Sequence, residues 1–423
     1  MSYPDSVRYL YSLGNEIKAG AKFGLERMQT ILAALDHPER SSRFVHVAGT
    51  NGKGSTSAMV GTALQHAGFR TGLYTSPHLI EPTERIQING VPVTDEEFAQ
   101  AFAIVHAKVE ELLKMDALDA HPSYFETVTA MAFLVFKERA EVTVLEVGLG
   151  GRLDATNVVT PELCVITPVA YDHEAFLGNT LASIAAEKAG ILKARVPVVI
   201  ARQPPEAEEV ILRRADELGC DVIRSADYTP SDIYCDRHGS AFTLEGDRFT
   251  CALAGRHQID NAVSAVLACK RLALPTAAIQ TGLESVRWPG RLEYISTHPD
   301  FILDGAHNPA GATALAAYIR EFCSARPVWL VYGAMRDKAV EEVAGQLFPL
   351  ADRVIVTAPA QTRALRPEAI LQIMPHPNGI IAERVQDAIE LARGAPANAV
   401  VFFTGSLFLV GEARGQVIRK IGL

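Results

Sequence analysis

The sequence predicts a two-domain α/β protein, each domain built on a largely parallel sheet flanked by helices. Three observations carry that reading. The chain has 423 residues, more than one hydrophobic core usually holds. Short β-branched apolar runs alternate with helix-length amphipathic stretches, the pattern of parallel strands joined by crossover helices. That alternation breaks at Trp288-Pro289-Gly290-Arg291, a turn-rich segment suited to a hinge, and begins again near residue 300. A first domain is therefore expected over 1–288 and a smaller Rossmann-like one over 296–423.

In the first domain, strands are expected at 44–48, 71–74, 142–147, 163–167 and 198–200, with helices at 55–65, 95–115 and 125–139. The second should carry strands at 301–304, 328–332, 353–357 and 399–404, with helices at 310–322 and 338–347. Doubly wound sheets bind ligands at the carboxyl ends of their strands. A ligand on the first domain would then face the second across a cleft.

Composition narrows the functional classes. Hydrophobic residues make up 48% of the chain and 31 residues are glycine, which fits an enzyme-like α/β protein with many turns. The formal charge of -9 argues against nucleic acid or anionic membrane as the main partner. The start, Met1-Ser2-Tyr3-Pro4-Asp5, has no basic, apolar leader, and no run approaches transmembrane length. Six scattered cysteines without a CxxC pair suggest buried thiols in a reducing cytoplasm.

The most informative stretch is Val45-His46-Val47-Ala48-Gly49-Thr50-Asn51-Gly52-Lys53-Gly54-Ser55-Thr56. An apolar strand meets a glycine-rich turn with one lysine, and a helix follows. Such a turn lets backbone N–H groups approach phosphate oxygens while the helix points its positive end at them. Lys53 can reach the β- and γ-phosphates of ATP, and Ser55 or Thr56 can face a magnesium ion. The strict phosphate-loop pattern would place glycine at Val47 and Ser or Thr at Gly54, so this is a variant. It makes the first domain a P-loop-type ATPase domain.

Three further segments look chemical. Glu146 lies inside an apolar strand, so it should meet a cation or strong donors; a metal is one such cation, and an internal salt bridge to Arg152 is the structural alternative. His173 follows the strand ending at Thr167, where ligands gather, although a lone histidine also has a structural reading. Glu187-Lys188-Ala189-Gly190 alone reads as a helix end with a glycine cap, which leaves Lys188 without a role.

Taken together, these segments resemble a known family. In order come Gly-Thr-Asn-Gly-Lys-Gly-Ser at 49–55, Thr75-Ser76-Pro77-His78-Leu79, Glu84-Arg85-Ile86 and Ser123-Tyr124-Phe125-Glu126. Then follow Glu146-Val147-Gly148-Leu149-Gly150-Gly151-Arg152-Leu153-Asp154-Ala155, Asp172-His173, Glu187-Lys188, His257-Gln258, Asn261, Pro289-Gly290-Arg291 and Leu303-Asp304-Gly305-Ala306-His307-Asn308-Pro309. The ordered set, spanning about 23–411, is similar to folylpolyglutamate synthase/dihydrofolate synthase, a branch of the Mur ligase superfamily.

The resemblance implies an ATP-dependent ligase that joins L-glutamate to dihydropteroate and to the γ-carboxyl of reduced folates through an acyl phosphate. It assigns ATP to Gly49, Asn51, Gly52, Lys53, Gly54, Ser55, Asn261, Arg291 and Asp304. It gives magnesium, two ions, to Ser76, Glu146 and His173, and makes Lys188 a carbamate. Lys53, Lys188 and His173 become the catalytic group. Phe23, Gly24, Ser123, Tyr124, Phe125, Glu126, Leu153, Asp154 and Ala155 fall to the pterin, and His307 and Ser406 to glutamate or product. Phe125 also reads as plain helix core, and Asp304 as a cap for the helix at 310. A cytoplasmic monomer is expected. The rivals are polyglutamylation alone, a peptidoglycan-type Mur ligase, and a nucleotide-regulated protein that makes no amide.

Overall fold

Strand β1 (Arg43–Ala48) is buried at every position but its first, and parallel strands cover it on both edges. This computed structural model describes residues 1–14 and 24–421. Phe23 therefore lies outside the described residues. The chain forms two compact units, one of residues 1–169, 181–229 and 261–283, the other of 170–180, 230–260 and 284–423.

The first unit holds an eight-stranded sheet. Its strands are β1, β2 (Thr71–Tyr74), β3 (Ile86–Ile88), β4 (Val91–Pro92), β5 (Val142–Glu146), β6 (Leu163–Ile166), β7 (Val198–Ile200) and β8 (Val222–Arg224), in the order β4-β3-β2-β5-β1-β6-β7-β8. The strands from β2 to β8 pair in parallel, and β3 and β4 add an antiparallel edge. The central strands read as continuous apolar runs because helices cover both faces. Phe98, Phe102, Phe133 and Phe136 anchor the core on one side. Register decides the chemistry: Val47 sits opposite Glu146 and Ala48 opposite Ile166, so the loops after β1, β5 and β6 leave from one end.

The second unit carries a six-stranded sheet, β12 (Glu293–Ser296), β13 (Asp300–Leu303), β14 (Val328–Tyr332), β15 (Arg353–Val356), β16 (Gly379–Ile381) and β17 (Val400–Thr404), ordered β12-β13-β17-β14-β15-β16. All pairs but β12–β13 are parallel. The last strand, β17, inserts between β13 and β14, so the loops after these three strands emerge side by side.

Sequence reading missed a three-stranded antiparallel sheet, β9 (Ser231–Cys235), β10 (Ser240–Leu244) and β11 (Asp247–Cys251). Its tight hairpin turns on Glu245 and Gly246, both at positive φ. Glu-Gly supplies the mirror-image turn without the usual Asn-Gly or Asp-Gly signal. Packing also divides the chain less simply than the expected split: residues 170–180 and 230–260 belong with 284–423, not with the rest of 1–288. Long-range packing of short inserted segments leaves no trace in local periodicity.

Helix Asp95–Lys114 begins with a capping box, in which the Thr94 hydroxyl accepts from Glu97 N–H and the Glu97 carboxylate accepts from Thr94 N–H. Thr94→Ala should cost about 1 kcal/mol, lowering Tm by roughly 1–2 °C in calorimetry while leaving turnover unchanged.

Candidate active site

The glycine-rich loop leaves β1 and becomes helix Lys53–His66. Pro168, just past β6, accepts from the backbone N–H groups of Thr50 (3.0 Å) and Asn51 (3.2 Å) and so pins the loop's rising limb. Gly52 then turns the chain with φ 85°. A side chain there would be strained and would collide with the Asn261 amide, so Gly52 is required on both counts. The first intrahelical bond runs from Thr56 N–H to Gly52 carbonyl (2.9 Å). The N–H groups of the first turn thus have no acceptor within the helix, which is how helix starts bind anions. Lys53 Nζ folds onto the Thr50 carbonyl at 3.2 Å, beside that turn. Ser55 is buried in it, whereas the Thr56 side chain is enclosed in the protein interior with no hydrogen-bond partner.

Glu146 ends β5 next to this loop. Its buried carboxylate accepts from Ser76 N–H at 3.2 Å. Arg152 pairs with Glu187 instead (2.9 Å), so the salt bridge weighed for Glu146 is not the one formed. Lys188 is buried as well, donating from Nζ to the Gly49 carbonyl at 2.8 Å. Within one unit, then, a phosphate-type helix start, a buried carboxylate, a serine and a buried lysine gather at the ends of β1, β5 and β2. A carboxylate beside a hydroxyl is a hard-oxygen pair that suits magnesium. Among the described residues no three His, Cys, Asp or Glu side chains form a ready cage. Magnesium does not need one, because it is usually held by one or two carboxylates plus substrate phosphates.

The Ser76 loop is braced by residues whose role sequence reading left open. Glu84 accepts from the N–H groups of Leu79, Ile80 and Glu81 at 2.7–3.0 Å. Arg85 Nε donates to His78 Nδ1 at 2.8 Å, which leaves the ring proton on Nε2 facing the Tyr11 hydroxyl at 3.2 Å.

In the second unit, Asp172 gathers its neighbours. Lys338 Nζ donates to its Oδ1 at 2.5 Å, Asn308 Nδ2 donates to its Oδ2 at 3.2 Å, and His307 Nε2 lies 3.4 Å from Oδ2. Burial pushes this carboxyl up, but the His307 hydrogen bond and the charges of Lys338 and His307 outweigh it and hold it well below the usual range. A depressed carboxyl stabilises the fold above the ordinary aspartate range, and that contribution is lost as pH falls through it. Asp304 accepts from the N–H groups of Leu292 (3.1 Å) and Ala306 (3.0 Å), while Arg291 Nη1 donates to the Gly290 carbonyl (3.0 Å). The cap of helix Pro309–Phe322 is Asn308, not Asp304.

The sequence profile of the Mur ligase middle domain matches residues 47–269, and that of the Mur ligase glutamate ligase domain matches 290–407. The chain is 34% identical over 437 residues to the dihydrofolate synthase/folylpolyglutamate synthase of Bacillus subtilis, covering 98% of this chain and 99% of that protein. It is 34% identical to the folylpolyglutamate synthase of Lacticaseibacillus casei, with 99% of both covered. The chain belongs to the folylpolyglutamate synthase/dihydrofolate synthase family of Mur ligases. Mycobacterium tuberculosis folylpolyglutamate synthase complexed with ADP superposes with a TM-score of 0.91 at 32% identity, over 98% of this chain and 99% of that one. E. coli FolC in complex with DHPP and ADP gives 0.88 at 28% identity, over 100% and 99%.

The segments that match this family's pterin contacts have clear structural duties here. Ser123 and Glu126 form a capping box on helix Tyr124–Arg139, and Glu126 also pairs with Arg27 (3.1 Å). The Ser-x-x-Glu spacing was a legible sign of this. Tyr124 is buried, stacked on Tyr11 and under the Arg85 guanidinium. The Phe125 ring packs so closely on Gly148 that a Cβ there would fall 2.6 Å from the ring. Gly24 stands just ahead of helix Glu26–Ala34. Leu153 and Ala155 flank Asp154, whose Oδ2 accepts from Gly148 and Leu149 N–H and whose Oδ1 accepts from Thr156 N–H and Oγ1–H. Ser406 Oγ accepts from Phe408 N–H, a local turn at the start of the last helix, and His307 Nδ1 donates to the Gly305 carbonyl.

Thr156 Oγ1, having spent its proton on Asp154, accepts from His46 Nε2 at 2.9 Å. Its other ring nitrogen, Nδ1, is enclosed without a hydrogen-bond partner, and burial followed by the charge of Lys193 pushes the ring down to about 3, which keeps it neutral. Burial and Arg85 push His78 down to about 3 as well. An unfolded histidine binds its proton below about pH 6.5 and these do not, so stability must fall as pH drops from 6.5. His46→Gln should narrow the gap in unfolding free energy between pH 7 and pH 5 by about 2 kcal/mol, measured by urea titration with circular dichroism.

Proposed function

We propose that this ligase uses ATP to join L-glutamate to pterin carboxylates, adding it both to dihydropteroate and to the γ-carboxyl of reduced folates. The observation that supports this most is the meeting, in one unit, of the Gly52–Ser55 helix start with buried Glu146 and Lys188. A relative that matches this chain nearly end to end carries the names of both activities, and another carries that of folylpolyglutamate synthase.

A carboxylate does not react with an amine, because its oxygen is a poor leaving group. Transfer of the γ-phosphoryl group to that oxygen gives an acyl phosphate. The glutamate amine then attacks the carbonyl carbon and phosphate departs. Such chemistry asks for positioning and charge neutralisation. Lys53 and the first-turn N–H groups hold the β- and γ-phosphates, and Gly49, Asn51 and Asn261 shape that cradle. Arg291 and Asp304 serve the rest of the nucleotide, Asp304 by holding the 304–306 loop. Ser76, Glu146 and His173 are the magnesium ligands we assign. Bound magnesium, two ions in this reading, offsets the charge of the transferring phosphoryl group.

Phe125, whose ring packs on Gly148, is assigned to stack on the pterin, and Tyr124, Gly24, Leu153 and Ala155 are assigned to the same ligand. Ser123, Glu126 and Asp154 act through the helix start and loop that they hold. His307 and Ser406 are assigned to glutamate. The two matched profiles, 47–269 and 290–407, leave residues 270–289 between them, which supports a functional boundary close to residue 288.

Purified protein with ATP and L-glutamate should release phosphate in steady state only when dihydropteroate or a reduced folate is present. Turnover with folate alone would restrict the chain to polyglutamylation, and phosphate release independent of glutamate would end the ligase reading. Lys53→Ala should lower kcat by at least about a hundredfold with an unchanged circular dichroism spectrum.

Lys188 is assigned as a carbamate, which would turn a buried cation into an anion near the metal. Lys188→Ala should then lose activity and regain part of it in added acetate. A complete absence of rescue by short carboxylates would remove the carbamate.

A further inference from the structure

His173 is held in an unusual way. Its backbone lies in the left-handed region, φ 52° and ψ 36°, at the start of the short helix Glu174–Leu177. A non-glycine residue there costs energy and persists only where its surroundings impose it. The imposing contacts are visible. Asp172 Oδ1 accepts from His173 N–H at 2.9 Å, and that same oxygen accepts from Lys338. Lys338 Nζ also lies 3.3 Å from His173 Nε2. Side-chain exposures of 11% for Lys338 and 10% for Asp172 mark a buried ion pair, not a surface one.

An ammonium can only donate a hydrogen bond. Nε2 of His173 must then present its lone pair to Lys338, and the ring proton of the neutral histidine sits on Nδ1. A metal ion bound by this nitrogen needs the same lone pair. We propose that Lys338 is a positioning residue whose ammonium competes with a divalent cation for Nε2 of His173, with Asp172 holding both partners in place. This rests on the reading of His173 as a magnesium ligand. Lys338 keeps the ring in its metal-accepting tautomer and aims it, yet opposes a metal ion arriving without extra negative charge. ATP phosphates bring that charge, so metal and nucleotide bind together while metal alone binds weakly. When displaced, the ammonium stays on Asp172 Oδ1, so the exchange needs only a local movement.

The full-length protein tests this through Mn²⁺ binding without nucleotide, followed by electron paramagnetic resonance. Lys338→Met should tighten Mn²⁺ on the order of tenfold, and the gain should vanish in the His173→Ala background. Tightening that survives in His173→Ala would be a general charge effect and would overturn the competition alone. His173→Ala that binds Mn²⁺ as tightly as wild type, with or without a non-hydrolysable ATP analogue, would remove the metal reading itself. A measurement that needs no variant guards against misfolding. In ¹⁵N-histidine spectra of the metal-free wild type, His173 should be the Nδ1–H tautomer. Lys338→Gln, which keeps a donor for Asp172, should shift that balance. An Nε2–H tautomer in wild type would overturn the contact.

Discussion

The parallel register of β1 between β5 and β6 is the constraint on which the first unit's chemistry depends. Because Val47 faces Glu146 and Ala48 faces Ile166, the phosphate loop, the Glu146 carboxylate and the Pro168 turn leave the sheet at one level. A slip of one residue would send Glu146 to the opposite face of β5. The apolar side chains that fix the register, such as Val45, Val47 and Val144, are fully enclosed or nearly so. Core packing far from any ligand thus sets the spacing that phosphoryl transfer requires.

A second theme is the carboxylate that binds its own backbone. Glu84, Asp154 and Asp304 each accept from two or more N–H groups of a loop after or beside a strand. Burial raises Asp154 and Asp304, and their hydrogen bonds oppose that rise. Catalytic loops exposed to solvent would otherwise be mobile. Fastening them with carboxyl groups that accept from the loop's own N–H groups holds the backbone in place without bulky side chains at the ligand surface.

Much of this was legible in the sequence. The β1 loop, the strands with continuous apolar runs and the ordered motifs followed from patterns that act locally. What stayed hidden depends on contacts distant in sequence. Glu146 invited a metal or Arg152, yet nothing local revealed that Arg152 would turn to Glu187. Asp172 and Lys338 lie 166 residues apart, and only the fold brings them together. His46 looked like one more strand residue, and its bond to Thr156 needs the return of the chain after β5. The Ser-x-x-Glu spacing at 123–126 is a local signal of the capping box, and the same residues also match a ligand segment of the family.

The way the chain is shared between its units has a practical consequence for handling the molecule. The polypeptide passes from one compact unit to the other at 169/170, 180/181, 229/230, 260/261 and 283/284. A cut at residue 284 would therefore not release the second unit intact. It would strip away the β9–β11 sheet and the segment with Asp172, leaving the Lys338 ammonium without its anion. Evolution can swap or trim either half only by preserving five separate crossings. Recombination between relatives should accordingly be tolerated within a unit's loops and punished at the one place, between the two profiles, where a gene-level boundary looks most inviting.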